Sequence, residues 1–134
     1  ANLRALVRTE RMHMDPGFLR EVLFEGGSVP VDTLRAGAGN GAAALFRSTA
    51  LREAAELGEA AVKGGSLTAF EKGCDNAVLK TAAGARRVPF GVEVALGYLI
   101  AKEAEWTAVR IVMAGRLAGL SADAIRERLR DAYV

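Results

Sequence analysis

The stretch 91–117 runs without a proline and carries apolar side chains on nearly every face of a helical wheel. Ala95, Leu96, Leu99, Trp106, Met113 and Leu117 project to one side. Val94, Tyr98, Ile111 and Val112 occupy the other. At about 1.5 Å per residue such a helix reaches roughly 40 Å. A helix that is apolar all round is expected to be buried. The chain is therefore predicted to be all-α, with no sheet: pseudo-repeated helical lobes around one long central helix. Glu103 and Arg110 fall on the same side of that helix. They are predicted as buried charges of structural role, each salt-bridged to a neighbouring helix, with Arg110 lying over Trp106.

Composition agrees with helix over sheet. Aromatics make up 6% of the 134 residues, and Ala and Leu supply most of the apolar content. The length suits one domain or two small helical lobes. At 51% hydrophobic and 25% charged, the chain is globular rather than disordered. No segment is apolar for long enough to span a bilayer. The chain opens within what reads as a helix, with no initiator Met, so it is expected to be a piece of a longer polypeptide.

Glycine and proline punctuate the rest. Helices are predicted over 1–14, 17–24, 30–35, 42–47, 49–63 and 66–83, with a last one opening at Ser121. Asp15-Pro16 restarts the chain, Gly26-Gly27 and Gly64-Gly65 end helices, and Ser66 and Ser121 are N-caps. Gly37, Gly39 and Gly41 lack the strand before and the Lys-Ser/Thr after that a phosphate loop needs, so they read as a hinge or turn. Val29-Pro30-Val31 is too short and proline-bearing for a strand. Residues 1–65 are read as the end of one lobe with short helices following, and 66–134 as a C-terminal lobe holding the long helix. A weak internal echo supports repetition. Asn2-Leu3-Arg4-Ala5-Leu6-Val7 resembles Ala108-Val109-Arg110-Ile111-Val112-Met113, and Met14-Asp15 falls opposite Leu120-Ser121.

Catalytic chemistry finds little purchase. With one His and one Cys, a His/Cys metal cluster and an intramolecular disulfide are impossible. His13 sits at a helix end, Cys74 lies in an apolar stripe, and Glu103 has no second acid or His near it in sequence. No catalytic site, cofactor or metal is expected. Two basic features remain: the stripe Arg4, Arg8 and Arg11 at i, i+4 and i+7, and the step Arg86-Arg87 ahead of Val88-Pro89-Phe90. Each is either solvated surface or a partner contact. The net charge of +2 is low for a strong nucleic-acid binder. A helical nucleic-acid-binding module gripping through these five arginines stays open as the alternative.

One resemblance is specific. Val88-Pro89-Phe90-Gly91-Val92-Glu93, Tyr98 to Glu105, Val109 to Arg116, and Gly119-Leu120-Ser121 through Arg126-Glu127-Arg128-Leu129 to Tyr133-Val134 look like the last third of the C subunit of prokaryotic V/A-type ATPases, counterpart of the d subunit of the eukaryotic vacuolar ATPase. Phe70-Glu71-Lys72, Asp75 to Lys80 and Asn2-Leu3-Arg4 are similar to family sequence too. The family often has Asn where this chain has Ala108. The resemblance implies an all-helical, non-catalytic socket that seats the D and F subunits of the rotor stalk on the membrane ring of proteolipids. It would lie at the cytoplasmic face, peripheral to the membrane, and couple ATP hydrolysis or synthesis to proton or sodium movement. Arg4, Arg8, Arg11, Arg86 and Arg87 are the expected partner contacts; the resemblance does not assign them.

Overall fold

The computed structural model describes residues 1–132, with Pro16 by its backbone alone. Tyr133 and Val134, which the resemblance includes, lie outside the described residues. Among the described residues eight α-helices follow one another: α1 (Asn2–Arg11), α2 (Leu19–Val22), α3 (Val31–Ala36), α4 (Ala42–Phe46), α5 (Arg52–Val62), α6 (Leu67–Ala82), α7 (Val92–Leu117) and α8 (Ala122–Arg128). Two 3₁₀ turns, Pro16–Phe18 and Ala83–Arg87, complete the set. Among the described residues there is no strand. The fold is all-α.

Local chemistry explains the ends. Ser66 Oγ accepts from the Ala69 N–H at 3.2 Å, and Ser121 Oγ accepts from the Ala124 N–H at 3.3 Å. Both serines satisfy a first-turn amide that has no partner within its helix. The helix predicted from Ser121 stops at Arg128, because Leu129 turns extended (φ −65, ψ 141). The next residues are held instead by α6. Arg130 Nε donates to Asp75 Oδ2 at 2.7 Å, and the Asp131 N–H donates to Asn76 Oδ1 at 3.0 Å. Along this segment Ile125 is buried while Ala122 and Ala132 are exposed.

The chain forms two compact units, Ala1–Cys74 and Asp75–Val134. The division falls inside α6, nine residues beyond the boundary read from sequence. The first unit holds the apolar core. Leu3, Leu6 and Val7 of α1 pack with Leu19, Leu34, Phe46, Ala54, Ala55, Ala61, Phe70 and Cys74. Phe70 is fully buried, worth roughly 2–3 kcal/mol for its side chain alone. Gly58 on α5 permits this closeness: a Cβ there would stand 2.7 Å from Val7 Cγ2 and 3.0 Å from Phe70 Cε2.

In the second unit the long helix departs from expectation. α7 is contacted by the 3₁₀ turn and by α8, and only Gly97 and Gly115 along it are buried. Trp106 is 70% exposed and Leu117 88%. Apolarity around a helix calls for cover, but along α7 only one narrow stripe has it: Ala101, Ala104, Ala108 and Ile111 are half-buried between Gly97 and Gly115. α8 seats on Gly115, where a Cβ would lie 2.6 Å from Ile125 Cγ1.

The two units share a local geometry in the register that sets Asn2 on Ala108. α1 closes with Met12 at φ −86, ψ 2, and α7 closes with Ala118 at φ −80, ψ 1. His13 (φ 51) and Gly119 (φ 69) then adopt the left-handed conformation. The Met14 N–H reaches Thr9 O at 3.0 Å, as the Leu120 N–H reaches Gly115 O at 2.9 Å. The His13 N–H reaches Glu10 O at 3.2 Å, as the Gly119 N–H reaches Arg116 O at 3.0 Å. Each pair is a Schellman closure. A helical segment follows in both, Pro16–Val22 and Ala122–Arg128, and each ends in an extended leucine, Leu23 or Leu129.

Candidate functional site

The arginine stripe is the first candidate, and its side chains bond to other segments of their own unit while Arg8 stays exposed. Successive i, i+4 positions place Arg4 and Arg8 above one another on α1, facing α6. Arg4 Nε donates to Glu71 Oε2 at 2.6 Å, and Arg8 Nη2 donates to Glu71 Oε1 at 2.6 Å. One carboxylate thus binds two guanidinium groups, with both oxygens engaged. A turn further on, Arg11 Nη1 donates to the carbonyls of Ala61 (2.8 Å) and Gly65 (2.9 Å). Those carbonyls belong to the C-terminal turn of α5 and the loop after it, at the negative end of the dipole, and Ala61 O also accepts from the Gly64 N–H at 3.2 Å. Glu10 completes the belt: its Oε1 accepts from the Gly39 N–H at 3.0 Å, tying down the glycine turn. The stripe expected to meet a partner is a clamp within its own unit.

Asn2 adds a second fastening. Its Nδ2 donates to Phe24 O at 2.7 Å, and its Oδ1 accepts from the Phe24 N–H at 3.0 Å. A single amide side chain closes the whole helix–turn–helix of α1 and α2. Its counterpart in the second unit is Ala108, which can make neither bond. There Asp75 and Asn76 hold the chain after α8 instead.

Arg86 and Arg87 end the 3₁₀ turn and are exposed. Phe90, 89% exposed, follows them, and Gly91 at φ 138 opens α7. This step is basic and aromatic together.

Glu103 and Arg110 correct the sequence reading. Both are exposed, and neither forms an ion pair among the described residues. The helix expected to cover them is absent from their unit. The cation–aromatic contact on α7 is Lys102 over Tyr98, at 5.7 Å to the ring centroid, rather than Arg110 over Trp106. Glu105 Oε2 accepts from Lys102 Nζ at 2.9 Å and, by that bond and its charge, raises the lysine pKa. His13 is exposed and serves the left-handed closure of α1, and Cys74 is buried in the core.

Glu71 is the residue that sequence reasoning missed. Helix periodicity registers a stripe of arginines, but the acid it meets sits 67 positions away on another helix. Among the described residues no group of three or more His, Cys, Asp or Glu side chains is placed to hold a metal ion. No helix of the described residues is long and apolar enough to cross a membrane.

Against known proteins, residues 1–128 match the family described as ATP synthase (C/AC39) subunit. No curated protein and no solved structure matches the chain.

Proposed function

The chain belongs to the ATP synthase (C/AC39) subunit family, and from that premise we propose that it works as a non-catalytic coupling piece of a V/A-type rotary ATPase. In this reading it seats the central stalk, made of the D and F subunits, on the proteolipid ring at the cytoplasmic face of the membrane. Torque passes through it between ATP hydrolysis or synthesis and proton or sodium movement. The family match across 1–128 carries the reading.

The clamp supports it on physical grounds. A part that transmits torque must resist shear between its helices. Glu71 bridging two arginines, Arg11 gripping two carbonyls and Asn2 locking Phe24 are directional bonds from α1 to segments far along the chain. Such bonds hold orientation, where apolar packing alone would let helices slide. The same clamp weakens the nucleic-acid alternative, since it engages Arg4, Arg8 and Arg11. The partner contacts proposed here are Arg86 and Arg87 with Phe90 beside them.

Omitting the chain from the assembled ATPase tests the proposal. Expected is ATP hydrolysis by the catalytic head that no longer drives ion transport, with the D and F stalk lost from the membrane fraction. Retained ion pumping, or a stalk still bound to the ring, overturns it. For the contact residues, Arg86→Glu with Arg87→Glu should reduce co-purification of the ring or the stalk.

A further inference from the structure

α7 carries a second periodicity on the side away from its half-buried stripe. Leu96, Leu99, Trp106, Met113 and Leu117 fall at alternating steps of three and four residues, and Glu103 and Arg110 fill the two remaining places of the row. That is the a/d row of a heptad repeat, held for three heptads. It runs for about 31 Å along the helix axis. On a helical wheel it lies opposite Gly97, Ala104 and Gly115. Its five apolar members are each more than half exposed. Glu103 and Arg110 are exposed too and make no ion pair among the described residues.

We infer that α7 pairs antiparallel, along this row, with α7 of a second copy of the chain, with Trp106 at the two-fold axis. The row is complementary to itself when reversed. Glu103 falls against the second copy's Arg110, and the symmetry repeats that contact on the far side of Trp106. Further out, Leu99 falls against Met113 and Leu96 against Leu117. Both charges inside the apolar seam thus meet their opposites. In the rows beside the seam Lys102 faces Val109 and Arg116 faces Ala95, so no like charges come together. A parallel pair would set Glu103 on Glu103 and Arg110 on Arg110. A plain apolar helix or a lipid surface would cover both charges with no counter-charge, which costs more than the apolar contact returns. Nucleic acid would meet the Glu103 carboxylate in the middle of the row and leave the leucines in water. The chain itself carries both halves of the complement, and that selects a second copy as the occupant.

Sedimentation equilibrium of the full chain across a concentration series tests this, with the emission of Trp106, its single tryptophan, read alongside. Expected is a monomer–dimer equilibrium in which the emission shifts to the blue as dimer forms. Glu103→Arg alone and Arg110→Glu alone should each weaken the dimer by roughly tenfold or more, since each sets two like-charge pairs in the seam. Mixing the two variants should restore it, because each copy then supplies the charge that the other lacks. Orientation is read separately from that. A chain with Leu99→Cys should form a disulfide with a chain carrying Met113→Cys faster than either does with its own kind. A wild-type chain that stays monomeric, a dimer unmoved by both charge reversals, a mixture no tighter than its components, or equal disulfide rates overturns the inference. Pairing is measured on the free chain and coupling on the assembled ATPase, so the two readings fail independently.

Discussion

Arg4 and Glu71 meet at 2.6 Å across 67 positions of sequence, joining the first helix of the chain to the sixth. Arg8 takes the other oxygen of the same carboxylate. Glu71→Gln removes the charge that both guanidinium groups share while nearly keeping the shape. Because Arg4 and Glu71 are about two-thirds or more covered, the loss should be about 2 kcal/mol, above that of an ordinary surface pair. Denaturant unfolding measures it. A double-mutant cycle of Glu71→Gln with Arg8→Ala should be non-additive; additive losses would show that the two arginines do not share the carboxylate.

Gly58→Ala should destabilise the first unit by about 1–3 kcal/mol, since the new methyl meets Val7 and Phe70 inside van der Waals contact. In an open helical site the same change stabilises by up to about 1 kcal/mol, so the sign alone decides. Adding Val7→Ala should recover part of the loss. Thermal unfolding of the two variants suffices.

Asn2→Ala should cost about 1–2 kcal/mol by abolishing both bonds to Phe24. Amide exchange at Phe24 should quicken with it. An unchanged exchange rate there would mean the side chain does not hold the turn.

Lys63 lowers the Glu59 pKa, by its hydrogen bond at 2.8 Å and then by its charge. A carboxylate depressed on folding contributes stability above its unfolded pKa and loses it as pH falls through the folded value. Lys63→Ala should therefore raise the Glu59 pKa toward the ordinary carboxylate range and flatten the acid side of the stability curve. Side-chain carboxyl titration by NMR reads the shift. A Glu59 pKa that stays put would show the pair does not form in solution.

Much of the fold is legible in sequence because its signals are local. Ser66 and Ser121 announce helix starts three residues before the amides they bind, and the apolar spacing of Phe70 and Cys74 marks the buried side of α6. The candidate site is legible only in part. The arginine stripe on α1 stands out by its spacing, but spacing does not reveal whether an arginine faces water, a partner or Glu71. That depends on which helices pack, and the acid lies far along the chain. The extended turn at Leu129 is set by Asp75 and Asn76, equally distant in sequence. For α7 the rule that apolar faces seek cover describes what Trp106 and Met113 need; it does not say that their own unit supplies it.

The unequal cover of the two units has a dynamic consequence. The core residues from Leu3 to Cys74 all belong to the first unit, while α7 buries little beyond two glycines. Deuterium should enter α1 and α5 only when that unit opens as a whole, whereas α7 should admit it by partial fraying. A protease offered the free chain would make its first cuts along the long helix and leave the clamped bundle standing.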